Sequence, residues 1–252
     1  MIEVHVLASG SDGNCIVVQS PEGSLMVDAG MNGRRTVEMM GRVGVSGGDL
    51  SAILVSHEHV DHVRGAGVLA RRFKLPVMGN RNTLSRSEIG CVRQLPFSTN
   101  EPFAAACFEV APLPTSHDAA EPNAFLLRHK DASVLIATDT GVMTPALEEA
   151  MRTADLAVVE SNYDERMLSD GPYPAYLKRR ISGDVGHLSN IACGESVKRT
   201  MGNGRKLFLA HLSKNNNTPD AARDTVARVT GIKRMNIDCL EFIGDYRTLR
   251  AL

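Results

Sequence analysis

The chain contains no tryptophan and only 4% aromatic residues among its 252, yet 43% of them are hydrophobic. This is the composition of a soluble globular chain, long enough to bury a substantial core of layered α/β type. Its five cysteines (Cys15, Cys91, Cys107, Cys193 and Cys239) include no Cys-x-x-Cys pair. They read as reduced core residues, which implies a cytoplasmic location. No run of about eighteen apolar residues is present to span a membrane, and the first residues, Ile2-Glu3-Val4-His5-Val6-Leu7, alternate like a strand rather than forming a signal peptide. The formal net charge is −1, which excludes a strongly basic footprint. Any nucleic-acid contact must then come from a local patch or from bound metal rather than from global charge. Internal repeats, low-complexity stretches and Pro/Gly/Ser-rich linkers are also missing, so the expectation is one domain over residues 1–252.

What the chain does have is histidine in clusters. The densest is Ser56-His57-Glu58-His59-Val60-Asp61-His62, directly after the apolar run Ala52-Ile53-Leu54-Val55, and it puts His57, His59, Asp61 and His62 within six residues. In an extended segment side chains i and i+2 point the same way, so His57 and His59 can grip one ion. Asp61 and His62, in the first turn of a following helix, turn toward a second. The competing reading is a polar loop carrying surface histidines, which rarely packs four potential ligands so closely.

Strand patterns run over Val4–Leu7, Cys15–Gln19, Ser24–Asp28, Ala52–Ser56, Pro76–Gly79, Phe103–Pro112, Ala124–Arg128, Val134–Ala137, Leu156–Glu160, Leu207–His211 and Asp238–Ile243. Helices are signalled from His62 to Arg72, after Thr144-Pro145 to Arg152, over Tyr173–Ile181 and Ser189–Met201, and after Thr218-Pro219 to Thr230. Thr before Pro is a start signal, because the Thr oxygen caps the first turn and Pro fills a position whose N–H has no helical partner. Two β-rich halves with flanking helices predict two sheets face to face with helices outside, a four-layer αββα sandwich of the α/β class. Five polar residues stand at or just beyond strand ends: Asp28, His117, Asp139, Glu160 and His211. One such residue is usually a solvated loop, but five together with the histidine cluster imply a shared edge that carries one site.

The order Asp28, His57-x-His59-x-Asp61-His62, His117, Asp139, His211 resembles the motifs of metallo-β-lactamase-fold hydrolases across nearly the whole chain. The resemblance implies that His57, His59 and His117 hold one divalent ion, that Asp61, His62 and His211 hold another, and that Asp139 bridges them while Asp28 orients the ligand loop. Such donors suit Zn²⁺, Mn²⁺ or Fe²⁺. Two ions about 3.5–4 Å apart can share a water, lower its pKa to roughly 7 and supply a hydroxide nucleophile.

The phrases Glu160-Ser161-Asn162-Tyr163-Asp164, Gly186-His187-Leu188-Ser189-Asn190 and His211-Leu212-Ser213 resemble the phosphodiesterase branch typified by ribonuclease Z. That likeness implies that His187 assists the leaving group and that Glu160 orients His187; a loop histidine capping a helix is the bland alternative. His117 and Asp139 are only 22 positions apart, too few for the long arm of ribonuclease Z enzymes, and Asp139 and His187 only 48, too few for a β-CASP cap. Together with Ala8-Ser9-Gly10-Ser11-Asp12-Gly13-Asn14, Tyr173-Pro174, Lys178-Arg179-Arg180-Ile181 and Lys214-Asn215-Asn216, these phrases closely resemble the bacterial WalJ/YycJ family. Membership implies a 5′-to-3′ exonuclease acting on double-stranded DNA.

Other features fit without deciding. The turn Ser9–Asn14 either offers N–H groups to a phosphate or simply closes a hairpin. Lys178, Arg179, Arg180, Lys198, Arg199, Arg205, Lys206 and Lys214 gather after position 170 and read either as a phosphate track or as solvated helix faces. Ser213 and Asn215 follow a proposed ligand and are candidate substrate contacts with Lys178 and Arg179. Tyr163 and Tyr173 read as base-stacking or as buried; His5 and His129 are a strand residue and a turn neighbour. The competing functions are a small-molecule hydrolase (lactonase, thioesterase or cyclic-nucleotide phosphodiesterase) and a non-catalytic scaffold. The Glu160/His187 pair argues against the first, and the completeness of the seven ligand positions against the second. Oligomeric state is left open.

Overall fold

The computed structural model describes residues 1–202, 205–242 and 244–251. Its strands are β1 (Ile2–Ala8), β2 (Cys15–Ser20), β3 (Gly23–Val27), β4 (Leu50–Leu54), β5 (Val77–Asn80), β6 (Gln94–Phe97), β7 (Phe103–Ala105), β8 (Phe108–Pro114), β9 (Asn123–His129), β10 (Ala132–Ala137), β11 (Leu156–Glu160), β12 (Lys206–Ala210), β13 (Ile237–Asp238) and β14 (Arg247–Ala251). The α-helices are α1 (Gly33–Arg42), α2 (Val60–Val63), α3 (Ala66–Phe73), α4 (Arg81–Arg86), α5 (Pro145–Thr153), α6 (Glu165–Asp170), α7 (Ala175–Ile181), α8 (Asn190–Thr200) and α9 (Pro219–Thr230).

The strands form two seven-stranded sheets, ordered β14-β1-β2-β3-β4-β5-β6 and β13-β12-β11-β10-β9-β8-β7. In each, an antiparallel half passes into a parallel half, at β3/β4 in the first sheet and at β10/β11 in the second. Strand side chains alternate between two apolar layers, because successive residues point to opposite faces. Val4, Val6, Ile16, Val18, Val134, Ile136, Leu156, Val158 and Phe208 meet in the core between the sheets. Their neighbours Cys15, Val17, Met26 and Ile53 pack outward against α1 and α3, while Leu135, Ala137, Ala157, Val159 and Leu209 pack against α5, α8 and α9. Three apolar layers between four structural ones make the αββα sandwich expected from the sequence. Burial on both faces explains why the strands read as continuous apolar runs.

Several boundaries differ from expectation. The expected strand Phe103–Pro112 is a hairpin, β7 and β8, turning at Ala106 with φ 52°. The helix expected from His62 to Arg72 is two helices, broken where Gly65 N–H bonds Ala29 O at 2.7 Å and where a Cβ would lie 2.3 Å from Met31 O. The strand expected over Asp238–Ile243 is confined to Ile237–Asp238, and Ile243 lies outside the described residues. Strands β6 and β14 and helices α1, α4 and α6 were not anticipated. Strand β14 carries Arg247 and Arg250 on an edge, and α1 has a mostly polar sequence, Gly-Arg-Arg-Thr-Val-Glu-Met-Met-Gly-Arg, which masks its buried Met39 and Met40. Both Thr-Pro signals are right: Thr144 and Thr218 cap α5 and α9 through their side-chain oxygens.

Candidate metal centre

The parallel strands deliver the polar residues to one edge. Asp28 follows β3, Ser56 to His62 follow β4 and enter α2, Asp139 follows β10, Glu160 ends β11 and His211 follows β12. Strand β8 runs in the same direction as β10, two antiparallel steps away, so His117 emerges on that edge too. The carboxyl ends of parallel strands are where open α/β sheets place ligands. Here two sheets share that edge.

Three imidazoles converge first. His57 Nε2 lies 3.1 Å from His59 Nδ1, and His117 Nε2 lies 3.3 Å from the same atom. Their outer nitrogens are occupied: His57 Nδ1 meets Ser56 Oγ at 3.0 Å, and His117 Nδ1 donates to the Gly186 carbonyl at 2.9 Å. A second group joins Asp61, His62 and His211, with Asp61 Oδ2 3.6 Å from the Nε2 of each histidine. His62 Nδ1 donates to Asp28 Oδ2 at 2.7 Å, and Asp28 also accepts from the Ser56 N–H and Oγ–H, both at 2.8 Å. Asp28 thus fixes the His62 tautomer from behind. Asp139 lies between the groups, its Oδ2 3.2 Å from His62 Nε2 and its Oδ1 3.7 Å from His117 Nε2.

Glu160 is fully buried. Its Oε1 accepts from His187 Nδ1 and from His211 Nδ1, both at 2.8 Å, and its Oε2 accepts from the N–H groups of Thr140 (2.8 Å) and Leu188 (3.2 Å). One carboxylate therefore sets two imidazoles, each presenting Nε2 to the far side. The left-handed conformations of Asp28 (φ 58°) and His211 (φ 54°) are sparsely populated ones. Ser9 Oγ on the His211 N–H (2.6 Å) and Asn162 Nδ2 on its carbonyl (2.7 Å) hold the latter in place.

Electrostatics follow from burial against charge. Burial favours neutral His62 and His211, but the Asp139 carboxylate, with Asp28 beside the former and Asp61 and Glu160 beside the latter, outweighs it. The His62 pKa is held well above its ordinary value and that of His211 is pushed up to about 10. Burial also resists ionisation of Asp139, yet the surrounding His211 and His62 hold its pKa well below the usual carboxylate range. His57 is driven well below its ordinary value by burial and by neighbouring His62. His187, by contrast, retains 23% side-chain exposure.

These residues fit divalent cations. Four triads or tetrads of the cluster place one donor atom each within 4.8 Å of one another. Asp139 Oδ2 and His211 Nε2 are buried without a hydrogen-bond partner, which costs free energy unless a cation or water satisfies them. The donors are all imidazole and carboxylate, the set that Zn²⁺, Mn²⁺ and Fe²⁺ accept.

A cavity of about 180 Å³ opens on the cluster, lined by His59, Asp61, His117, Asp139, His187 and His211, with Ser11, Asp118, Leu177 and Arg180 at its sides. Of the basic residues after position 170, only Arg180 is in that lining. Lys178 turns to the Ser169 carbonyl at 2.6 Å, Arg199 pairs with Glu148, Lys214 pairs with Asp12, and Lys198, Arg205 and Lys206 line a separate cavity that includes the amino end of β12. Arg179 is exposed. Ser213 closes a turn with Asn216, and Asn215 Nδ2 donates to the Tyr173 hydroxyl at 2.6 Å. Tyr163 is buried. The turn Ser9–Asn14 joins the antiparallel pair β1/β2 as a hairpin. Its Asn14 clamps α2, N–H to Asp61 O at 2.7 Å and Nδ2 to His62 Nε2 at 2.9 Å. Sequence reading missed Ser56, Asn14, Asn162 and Gly186 as supports of the ligands. Ser56 and Gly186 adjoin ligand or partner histidines, which was a usable signal; nothing in the spacing tied Asn14 to α2 or Asn162 to His211.

Comparison with known proteins gives a consistent picture. Residues 8–88 match the metallo-beta-lactamase superfamily. The chain is 38% identical over 234 residues to exodeoxyribonuclease YycJ of Bacillus anthracis, covering 90% of this chain and 89% of that one. It is 34% identical over 229 residues to exodeoxyribonuclease WalJ of Streptococcus pneumoniae, covering 88% and 85%. Among solved structures, the metallo-beta-lactamase fold protein YhfI of Bacillus subtilis superposes with a TM-score of 0.77 at 20% identity, covering 98% of this chain and 99% of that one.

Proposed function

Because the chain belongs to the metallo-beta-lactamase superfamily of hydrolases, in the family of the exodeoxyribonucleases YycJ and WalJ, we propose that it is a divalent-metal-dependent phosphodiesterase that shortens double-stranded DNA from a 5′ end. His57, His59 and His117 would hold one ion and Asp61, His62 and His211 a second, with Asp139 between them and Asp28 orienting His62. Ions so placed supply Lewis-acid stabilisation of charge building on a phosphoryl oxygen.

The observation that carries the reading is the single Glu160 oxygen shared by His187 and His211. A departing alkoxide is a poor leaving group and needs a proton. His187 lines the cavity, and with its Nδ1–H committed to Glu160 its Nε2 is the atom free to hold that proton. Glu160 keeps the imidazole in the right tautomer while fixing His211, a proposed metal ligand, with the same oxygen. The cavity also supports a polymer substrate. At about 180 Å³ it is smaller than the roughly 300–1,000 Å³ of pockets that engulf whole small ligands, and so suits one phosphodiester linkage with the rest of the molecule outside. In this reading Lys178, Arg179, Ser213 and Asn215 border the path of the remaining duplex.

Metal-loaded protein incubated with end-labelled duplexes, 5′-phosphorylated and 5′-hydroxyl, is expected to release nucleotides from the 5′ end. If both duplexes survive while a lactone, thioester or cyclic nucleotide is consumed, the assignment fails in favour of a small-molecule hydrolase.

A further inference from the structure

Helix α7 brings one permanent cation to the cavity. Arg180 lines it beside Leu177 and Ile181, and its Nη2 meets Asp118 Oδ2 at 3.1 Å. Asp118 follows His117 and lines the same cavity. Both side chains are largely exposed, 63% for Arg180 and 59% for Asp118, and an ion pair in that setting contributes little to folding. Its effect is local: it parks a guanidinium at a site whose other ionisable lining residues are imidazoles and carboxylates. The planar fork of a guanidinium matches two oxygens of a phosphate, whereas Asp118 would be repelled by them.

One turn before Arg180 on the same helix is Tyr176, 68% exposed. Residues four apart are neighbours on a helix surface, so Tyr176 and Arg180 share one face of α7. The tyrosines singled out from sequence are otherwise engaged, Tyr163 by burial and Tyr173 by Asn215. Every base has a face that stacks on an aromatic ring, whatever the sequence.

We propose that α7 is the substrate grip. Arg180 leaves Asp118 to clasp the non-bridging oxygens of the phosphodiester, and Tyr176 stacks on the base of the nucleotide being removed. The base platform rests on the DNA reading above; the clamp requires only that the substrate is a phosphodiester. Asp118 competes with substrate for the guanidinium, so the ion pair discourages unproductive anions while costing a true substrate little.

Steady-state kinetics of the metal-loaded protein test this on two substrates, 5′-phosphorylated duplex DNA and bis(p-nitrophenyl) phosphate. Arg180→Met is expected to keep full metal content and raise KM about tenfold or more on both, as for loss of a charged hydrogen-bond partner. Asp118→Asn is expected to lower KM about two- to fivefold, the worth of an exposed ion pair. Tyr176→Ala is expected to raise KM for DNA about five- to a hundredfold, a penalty that vanishes on a duplex whose 5′-terminal nucleotide is abasic. A KM rise in Asp118→Asn matching that of Arg180→Met would mark the pair as structural and overturn the clamp. A Tyr176→Ala effect that persists on the abasic duplex overturns the platform. Wild-type protein that consumes the aryl diester but no DNA overturns the nuclease reading and the platform with it; the clamp is then judged by the aryl diester's KM, where no change in Arg180→Met refutes it.

Discussion

His59 and His187 line the same cavity but answer to different physics. His59 Nδ1 is the meeting point of the first imidazole group, at 3.1 Å and 3.3 Å from His57 and His117, and it has no backbone or carboxylate partner on that nitrogen to compete with a cation. His59→Ala should therefore lose activity and bound metal together, and metal analysis returning full content in that variant would refute the ligand assignment. His187 is held by Glu160 and reaches the cavity outside the His57/His59/His117 and Asp61/His62/His211 triads, standing instead in a group with Asp139, Glu160 and His211. His187→Ala should retain metal and lose on the order of 10²–10⁴ in kcat on DNA, but far less on an aryl phosphodiester whose leaving group departs without a proton. Equal losses on both substrates would indicate phosphate binding instead of proton delivery. The His57–His62 cluster was legible in the sequence because its chemistry depends on residue type and short spacing, and His117, Asp139 and His211 joined it as candidate ligands through the family resemblance. The sharing of Glu160 by His187 and His211 was not, since β11, the loop before α8 and the end of β12 lie far apart along the chain.

Among the elements, α2 decides whether the site exists. It spans four residues, Val60–Val63, too short to be stable alone. Its anchors are the hairpin turn, through Asn14, and the segment after β3, where Ala29 N–H bonds His62 O at 2.7 Å. Gly30 sits in that segment, where an added Cβ would lie 1.6 Å from Asp61 O. No rotamer relieves a clash with backbone, so Gly30→Ala should exceed the about 1–3 kcal/mol of ordinary overpacking. The Tm should then fall by roughly 10 °C and metal content should drop with it. Gly41→Ala is the contrasting case: in α1 an added Cβ meets nothing within 4 Å, and replacing a helical glycine should raise stability by about 0.5–1 kcal/mol. Calorimetry showing equal shifts for the two variants would refute this account of how α2 is docked. The helix interruption at Gly65 escaped sequence reading for the same reason, because the apolar period continues across it while the backbone of Ala29 and Met31 forbids a continuous helix.

For the molecule as a whole, the centre is a joint between two sheets: Asp28 and His57 to His62 come from one, and His117, Asp139, Glu160 and His211 from the other. A cation bound there links them. At a hundredfold excess over Kd it should stabilise the fold by about 2.7 kcal/mol, which is roughly 5–10 °C of Tm for a chain of this size. The pH trend carries a sign. In chelated protein the raised pKa values of His62 and His211 contribute stability that is complete below about 6.5, the unfolded value, and lost as pH rises through the folded ones, about 10 for His211. A cation must displace those same protons, so the rise in Tm on metal loading should be larger at pH 8 than at pH 6; scanning calorimetry with and without chelator would contradict this by showing the reverse.

No helix among the described residues is long and apolar enough to cross a membrane, and the strands read as apolar runs because both sheets are covered on both faces. That layering, the strands that end in candidate ligands and the His57–His62 cluster were determined by the sequence alone, since residue type, short spacing and burial period are local properties. Which residues support the ligands, which cation of the basic set reaches the cavity and which tyrosine stays exposed were decided only by tertiary structure. Those are contacts between segments tens to hundreds of residues apart, fixed by how the two sheets meet and not by any pattern along the chain.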